Sequence, residues 1–342
     1  MLKIPITRHR AISHINNPRA DDKDVLLVVQ FENGKMIGYL GVLPDYVFNG
    51  TVFLKAGWLS CFWVDDSYRS QPVAASLFLR VMEAWDQRIM ITNFVPELTS
   101  LYMKTGLFNG GLIKKGIRAY MRFNLAEILP PRANWLSRMK PVLRNIDLLL
   151  NWVGDTRFYF IRDFANPSFH WNFFNPADEI PAEFIDRFNL ETWSRRGRTE
   201  LQWILQYPWI IESHVPDHDS HRYYFSSVSK RFTYKIIRIP KSKGDTAAWV
   251  LICIRDNTMT VPYVFAENEY YESIARILID IMIELKISMI TTFHEQLTAA
   301  LIKFRLPFLF KKTILKPYLI AKKLDFIGKL NFQDGDGDCA FY

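Results

Sequence analysis

The residues best suited to chemistry lie between Gly57 and Phe108. An apolar strand, GWLSCFWV, ends in the polar turn DDSYRSQ, and the helix PVAASLFLRVMEAW follows at once. A second apolar strand, RIMITNF, comes next, which is typical of a βαβ-like unit buried on both faces of its sheet. The helix N-terminus carries unpaired backbone N–H groups and the positive end of the helix dipole. This segment therefore predicts a site for a phosphate-bearing ligand.

Two motifs in the segment resemble the signature of the GNAT superfamily of N-acyltransferases. VDDSYRSQPVAA, Val64 to Ala75, resembles the acyl-CoA motif that spans a strand end and the start of a helix. LYMKTGLF, Leu101 to Phe108, is similar to the closing helix of that family. The resemblance covers about residues 25 to 123. It implies an α/β fold in which a mixed twisted sheet is flanked by helices.

The resemblance also implies roles for individual residues. The turn and the first residues of the helix would bind the pyrophosphate of acetyl-CoA or another acyl-CoA, and the strand end would meet the pantetheine and the thioester. Tyr102 would be the general acid that protonates the leaving thiolate, since a phenol with a pKa of ~10 can donate to a thiolate whose conjugate acid has a pKa of ~8.5. The implied contacts with CoA are Phe62, Trp63, Val64, Arg69, Ser70, Gln71, Val73, Ala74, Ala75 and Asn93.

The motif departs from the family pattern at Pro72. This proline stands where the first glycine of the pattern is usual, and proline has no backbone N–H. Proline is well tolerated at the first turn of a helix, so we expect the helix to form with one phosphate donor fewer. The proposed activity is transfer of an acyl group to a primary amine, either a small molecule or an amino sugar. The alternatives are a GNAT-fold binding protein without catalysis and a Fem-type aminoacyl or peptidyl transferase.

The order of predicted elements repeats in the second half of the chain. Each half has a hairpin, a strand, a helix, a second strand and a second helix, and ITNF at residues 91–94 has a counterpart, ITTF, at 290–293. This repeat predicts two GNAT-like domains, residues 1–130 and 155–342, each with a mixed sheet, joined by a helix over 131–154.

The second copy lacks the phosphate-binding motif. Its long helix is preceded by Glu267 and Glu269 and carries Glu272 near its start, and these carboxylates would repel a pyrophosphate. We therefore expect the second domain to form a wall of the acceptor site instead of binding CoA.

The joining helix has apolar residues at helical spacing. Trp135, Met139, Val142, Ile146 and Leu149 recur every three or four residues, with arginine and lysine on the other face. We interpret it as a connecting helix whose basic side faces solvent. The alternative is a helix on a membrane surface, because basic residues and Trp are typical of such helices.

The general base cannot be identified from the sequence. An amine acceptor arrives as an ammonium ion, so a carboxylate, a histidine or a chain of water molecules must remove its proton. The candidates are Glu32, Asp45, Asp65 and His294.

Two polar clusters remain open to more than one interpretation. The histidines of SHVPDHDSHR, residues 213–222, have spacing that suits zinc, but a polar loop explains them equally well and we expect no metal. The sequence DGDGD, residues 334–338, resembles part of a calcium loop without its closing glutamate. We expect a solvated turn there, with a segment that folds back toward the amine acceptor as the alternative.

Composition and charge exclude several classes of protein. Hydrophobic residues make up 49% of the 342 and charged residues 23%, which argues against disorder. The net charge is +8, but the basic residues are scattered and no nucleic-acid motif is present, so no nucleic-acid partner is expected. Three widely spaced cysteines do not indicate a disulfide framework. No apolar stretch approaches ~18 residues and no signal peptide is recognisable, so we expect a cytoplasmic protein without a membrane span.

Overall fold

A mixed β-sheet runs through the molecule in the computed structural model, which describes residues 3–94, 99–109, 111–130, 133–158, 173–174, 180–215, 222–241, 245–326 and 331–341. In chain order the strands are β1 (Leu27–Glu32), β2 (Lys35–Phe48), β3 (Phe53–Val64), β4 (Ile89–Thr92), β5 (Leu112–Tyr120), β6 (Phe173–Phe174), β7 (Ile211–Glu212), β8 (Val228–Ser229), β9 (Phe232–Pro240), β10 (Thr246–Arg255), β11 (Thr258–Ala266), β12 (Met289–Thr292) and β13 (Phe310–Ile320). Strands β7 and β8 pair with each other, and the other eleven described strands form the sheet.

The helices in the described part of the chain flank this sheet. They are α1 (Arg8–Ile15), α2 (Val73–Ala84), α3 (Thr99–Lys104), α4 (Leu125–Ile128), α5 (Lys140–Asp155), α6 (Ala182–Asn189), α7 (Arg198–Gln206), α8 (Tyr271–Glu284) and α9 (Glu295–Lys303). None of the described helices is long and apolar enough to cross a membrane. The predicted fold class, an α/β protein with a large mixed sheet flanked by helices, is confirmed.

The two halves of the chain exchange their last strands. The order across the sheet is β1-β2-β3-β4-β13-β5-β12-β11-β10-β9-β6. Strand β13 pairs antiparallel with β4, and β5 pairs antiparallel with β12, so each final strand lies beside strands of the other half. The pairs β3–β4 and β11–β12 are parallel. The same succession of elements thus occurs twice within one continuous sheet, while the domain limits at 130 and 155 stay a prediction.

Local sequence explains the first hairpin. Asn33 and Gly34 join β1 to β2 with φ angles of 49° and 76°, and two positive φ angles are what a tight two-residue hairpin turn requires. The following strand β2 is buried along most of its length because both of its faces are covered.

Three apolar cores cover most of the sheet. One lies under α2 and α3, and another lies under α8 and α9. On the opposite face a single aromatic-rich core extends over both halves, beneath α6, α7 and residues 331–341, which we call the C-terminal segment. Trp58 of the first half and Trp249 of the second are both fully buried there. The C-terminal segment therefore packs on one face of the sheet, against both halves.

The polar residues before β1 contain a helix. Thr7 caps α1 by accepting a hydrogen bond from the N–H of Arg10. The predicted joining helix is present as α5, but the predicted apolar stripe is not the side that packs on the protein. Met139, Val142, Ile146 and Leu149 are exposed, and the buried residues of the helix are Leu143 and Asp147. The polar side chains turn inward because they bond to backbone groups of the segment that precedes the helix.

Candidate active site

The cavity that contains the predicted catalytic residue opens where two parallel strands separate. Strands β3 and β4 pair only at Gly57–Ile89 and Trp58–Met90. Beyond these pairs the end of β3 bonds to β2 alone, and the end of β4 bonds to β13. A cavity of about 450 Å³ lies at this divergence, and we call it the β3–β4 cavity.

A β-bulge shapes the wall of this cavity. Cys61 and Phe62 of β3 stand opposite Leu40 of β2, and Cys61 has a φ of 53°. A bulge leaves backbone groups out of the ladder, and a positive φ at a residue other than glycine often marks a functional constraint. Gly41 is required on the neighbouring strand because a Cβ there would lie 2.7 Å from the carbonyl oxygen of Ser60.

The start of α2 lies beyond the end of β3, as the motif predicts. Pro72 is the N-cap residue of α2, with no side-chain cap, so the helix begins at Val73. The first N–H groups of an α-helix have no partner within the helix, and those of Val73, Ala74 and Ala75 are therefore available to an anion. Pro72 removes only the N–H of the N-cap position, which lies outside the helical turn.

The predicted CoA contacts occupy three kinds of position. Phe62 and Asn93 line the β3–β4 cavity. Trp63 is buried on the other side of β3, where its ring lies 5.4 Å from that of Tyr39, and Val64 packs in the core under α2. The phosphate-binding positions form an accessible rim around the start of α2, where Val73 is buried, Ala74 is half-buried and the others are exposed: Arg69, Ser70, Gln71 and Ala75.

Tyr102 lines the same cavity from α3. Its ring packs against Phe78, Phe94 and Phe108, with centroid distances of 5.5, 5.9 and 6.1 Å. Burial raises the pKa of Tyr102 to about 12, so the phenol keeps its proton at neutral pH. The predicted general acid must be a protonated phenol, and Tyr102 is a protonated phenol that lines the cavity.

A buried arginine that the sequence interpretation missed organises the opposite wall. Arg10 of α1 donates from Nη2 to Ser60 Oγ at 2.9 Å and from Nη1 to the hydroxyl of Tyr223 at 2.7 Å, and it also contacts Cys61 Sγ. Its guanidinium lies 3.9 Å from the centroid of the Trp209 ring. Burial would lower the pKa of Arg10, but Cys61, Tyr223 and a nearby carboxylate raise it above its usual value.

The histidine beside this arginine is neutral. Arg10 Nε donates to His14 Nε2 at 3.3 Å, so that nitrogen must be unprotonated. Burial, with a smaller contribution from Arg10, lowers the pKa of His14 to about 3. Of this pair, only Arg10 therefore carries a positive charge; Arg255 also lines the cavity.

A carboxylate of the C-terminal segment reaches the cavity. Asp338 lines the β3–β4 cavity and accepts a hydrogen bond from the hydroxyl of Ser60, which in turn accepts from Arg10. Only 5% of Asp338 is exposed. The expectation of a solvated turn at residues 334–338 is wrong, because this segment packs against the sheet and Asp336 and Asp338 are buried.

Arg196 fixes the C-terminal segment in place. Its guanidinium donates to the carbonyl oxygens of Gly335 and Gly337 at 3.1 and 2.9 Å, and it pairs with Asp45 Oδ2 at 2.9 Å. Gly337 has a φ of 72°, and a Cβ there would lie 3.0 Å from the Trp58 ring, so glycine is needed. These contacts set the position of Asp338.

The general-base candidates from the sequence lie elsewhere. Asp45 is fully buried between Arg19 and Arg196; burial alone would raise its pKa, but the two guanidiniums hold the pKa below its usual value. Asp65 pairs with Lys35 at 2.8 Å. Glu32 is exposed on the first hairpin, and His294 lines a different cavity.

A second cavity, of about 980 Å³, lies in the corresponding region of the second half. Val264 at the end of β11 and Phe293 and His294 after β12 line it, as do residues of β5 and β13. His294 stacks on Tyr271, the first residue of α8, with ring centroids 5.2 Å apart. Glu267 is bound by Lys241 at 2.6 Å. The expectation that the second half does not bind CoA stays a prediction.

Within the described ranges no group of three or more His, Cys, Asp or Glu side chains has an arrangement that could hold a metal ion. The predicted histidine cluster cannot be judged from this, since residues 216–221 lie outside the described residues.

Comparison with solved structures identifies the fold. No model of a known protein family matches the chain, and no curated protein matches it by sequence. A probable N-acyltransferase from Enterococcus faecalis V583 superimposes with a TM-score of 0.50 and 10% identity, over 92% of this chain and 65% of that one. This chain has the GNAT fold. The fold implied by the two sequence motifs is confirmed, and the likeness at this level of identity concerns the fold alone.

Two other solved structures are similar. A GCN5-related N-acetyltransferase from Anabaena variabilis has a TM-score of 0.46 and 10% identity, over 91% of this chain and 64% of that one. N-myristoyltransferase from Saccharomyces cerevisiae, with bound myristoyl-CoA and inhibitors, has a TM-score of 0.47 and 9% identity, over 94% and 79%. The chain spans about two thirds of the length of the two bacterial proteins.

Sequence signals existed for some of the missed residues. The N-cap pattern at Thr7 could have revealed α1 and with it Arg10. The carboxylates of residues 334–338 were visible, but nothing local indicates that Asp338 is buried. Cys61 and Tyr223 carry no sequence signal, because a bulge without glycine and a tyrosine in a loop are both common.

Proposed function

We propose that the protein transfers an acyl group from acyl-CoA to a primary amine, within the β3–β4 cavity. The observation that carries this proposal is the presence of two features along β3. A helix N-terminus suited to phosphate follows the end of the strand, and the buried Asp338 carboxylate, which Ser60 links to Arg10, lines the cavity beside the strand. The first suits the CoA moiety and the second suits an ammonium acceptor.

The CoA side is formed by the residues of the sequence motif. The N–H groups of Val73, Ala74 and Ala75 would bind the pyrophosphate, supported by the helix dipole. The bulge at Cys61 and Phe62 would direct a backbone N–H toward the thioester carbonyl and stabilise the oxyanion. Asn93 would contact the pantetheine.

The acceptor side is formed largely by the second half of the chain. Tyr223, Phe225 and Arg255 line the β3–β4 cavity together with Asp338. This supports the expectation that the second half forms a wall of the acceptor site. The Asp338 carboxylate attracts an ammonium ion and can remove its proton, and Ser60 and Arg10 hold it in position.

The reaction then proceeds by direct attack. Asp338 first takes one proton from the ammonium ion and releases it to water. The neutral amine nitrogen then forms a bond to the thioester carbon while a second proton passes from the nitrogen to Asp338, and the carbon–sulfur bond breaks. The departing thiolate takes the proton of Tyr102, so the products are an amide and free CoA. Tyr102 and Asp338 return to their starting states by proton exchange through water.

Replacement of Tyr102 by Phe tests the general acid. We expect kcat to fall by roughly 10²-fold, because proton donation to the leaving group is lost, while acyl-CoA affinity stays nearly unchanged. The rates are measured as release of the CoA thiol, which a chromogenic disulfide detects. The donors are acetyl-CoA and longer acyl-CoAs, and the acceptors are a panel of amines and amino sugars. Tyr318→Phe, a buried tyrosine outside this cavity, is the matched control. Equal turnover of Tyr102→Phe and wild type would remove Tyr102 from the mechanism.

The alternative is a binding protein that has kept the fold without catalysis, and Pro72 is the observation that favours it. That alternative predicts no thiol release with any amine of the panel. The position of Pro72 at the N-cap weighs against it, because the N–H groups of the first helical turn remain.

A further inference from the structure

Helix α5 exposes most of its apolar side chains. Its side toward the protein carries the buried Leu143 and two hydrogen-bonding residues spaced four apart, Asp147 and Asn151. Asp147 accepts from the N–H groups of Leu125 and Ala126 at 2.8 and 2.9 Å. Asn151 exchanges hydrogen bonds of 2.8 and 2.9 Å with the backbone of Phe123. These polar contacts fix the rotation of the helix and direct its apolar residues outward.

The outward side of α5 and the short 3₁₀ turn before it, residues 134–137, carry large apolar side chains. Trp152 is 76% exposed, Leu148 70%, Trp135 64% and Leu149 62%. We call the exposed set the α5 face, and its members are Trp135, Met139, Val142, Ile146, Leu148, Leu149, Trp152 and Val153. Single exposed apolar residues are normal on a protein surface, but a continuous stripe marks an interaction site.

The apolar surface continues onto the loop between α9 and β13. Arg157, just beyond α5, donates from Nε to the carbonyl oxygen of Pro307 at 3.1 Å. Ile302 at the end of α9, Leu306 of the loop and Phe310 at the start of β13 are 56%, 62% and 59% exposed. Two separate chain segments therefore contribute exposed apolar side chains near the end of α5.

Most of the charges beside the α5 face are positive. The exceptions are Glu127, which pairs with Lys140 at 2.9 Å, and Glu272, which lies 3.9 Å from Lys303. Arg138 and Arg144 are exposed, and Arg144 lies one turn before Leu148. Lys303, Arg305 and Lys312 are exposed on the neighbouring loop and strand. Within residues 133–158 the acids are Asp147, which caps α4, and Asp155, which binds Arg122 at 3.0 Å. Neither carboxylate offsets the positive charge at the surface.

We propose that the α5 face binds the surface of an anionic lipid membrane. An apolar stripe with Trp and Leu, bordered by Arg and Lys, is the composition that lies in a membrane interface with its apolar side among the acyl chains. Trp152 lies in the last turn of α5 and Trp135 in the short 3₁₀ turn before the helix, and amphipathic tryptophan rings suit the headgroup level of a membrane. Self-association through this face would bring its cations together, whereas anionic headgroups neutralise them.

Binding of the full chain to vesicles tests the proposal. We expect it to float with vesicles of phosphatidylcholine and phosphatidylserine, to bind pure phosphatidylcholine more weakly, and to lose affinity as salt rises. The double variant Leu149→Ser/Trp152→Ser is expected to lose at least tenfold in vesicle affinity, because two large apolar side chains no longer enter the interface. Both residues are exposed, so we expect the variant to fold. Leu190→Ser/Val215→Ser, whose parent residues are 69% and 71% exposed elsewhere, is the matched control.

Two results would overturn the proposal. The first concerns flotation: the wild type does not float with the vesicles, or the α5 variant floats as well as its control. The other is a concentration-dependent dimer, seen by light scattering, that the α5 variant abolishes and vesicles do not compete with. In that case a second copy of the chain covers the face. None of these measurements depends on acyl transfer, so membrane binding and the proposed activity are tested independently.

Discussion

Replacement of Asp338 by Asn is expected to lower kcat for acyl transfer by roughly 10²- to 10³-fold, with little change in acyl-CoA affinity. The side-chain amide of asparagine has nearly the same shape as the Asp338 carboxylate and can still accept the hydrogen bond of Ser60. It cannot take a proton from the ammonium acceptor. The loss should therefore appear in turnover and not in folding. Steady-state thiol release and a thermal unfolding curve of the same preparation measure both.

Asp336→Asn is the matched control for this variant. Asp336 lies two residues away on the same turn and is equally buried, but it does not line the β3–β4 cavity. Its carboxylate accepts from the N–H of Gln333 at 2.8 Å, a bond that an amide oxygen can replace. If Asp336→Asn lost as much turnover as Asp338→Asn, the effect would belong to the turn as a whole and Asp338 would not be the base.

Replacement of Arg196 by Met is expected to destabilise the protein by about 3 kcal/mol, since removing one partner of a buried ion pair leaves unpaired polar groups behind. The carbonyl oxygens of Gly335 and Gly337 and the hydroxyl of Tyr263 each lose a buried donor. Asp45 keeps Arg19, which limits the loss. Chemical denaturation gives the stability, and faster amide exchange across residues 333–341 would report the release of the C-terminal segment.

Activity should fall with Arg196→Met even where the protein is still folded, because Asp338 is no longer held at the cavity. Arg187→Met is the control, since Arg187 is exposed and lies 4.0 Å from Glu267, a geometry that contributes little to stability. A folded Arg196→Met variant with wild-type turnover would show that the position of the C-terminal segment does not matter for the reaction.

The parts of the fold that rest on local signals were predictable. The apolar run of β3, the periodicity of α2 and the Asn33-Gly34 turn each determine their own structure, because hydrophobic period and turn chemistry act over a few residues. The same holds for the start of α2, where the order of strand, turn and helix is sufficient to predict an anion site.

The parts that depend on distant contacts were not predictable. Residues 334–338 have the composition of a solvated turn, and they are buried only because Arg196, Lys114 and Lys316 come from other parts of the chain to meet them. The periodicity of α5 predicts a helix correctly, but not which side faces the protein. Its orientation follows from hydrogen bonds of Asp147 and Asn151 that no hydrophobic pattern records.

The central claim is that the start of α2 and the β3–β4 cavity form an acyl-CoA site, and calorimetric titration with acyl-CoA tests it most directly. The informative variant is Ala75→Glu, which puts a carboxylate among the phosphate-binding N–H groups at a position where the helix dipole favours it. Ala84→Glu adds the same charge to the other end of α2, about 14 Å away.

We predict that the wild type and Ala84→Glu bind acyl-CoA alike, and that Ala75→Glu loses at least about tenfold in affinity, or about 1.4 kcal/mol. Two results would contradict the assignment of this site. One is equal affinity of Ala75→Glu and the wild type for acyl-CoA. The other is no binding by the wild type at ligand concentrations on the order of millimolar, since a millimolar dissociation constant corresponds to only about 4 kcal/mol.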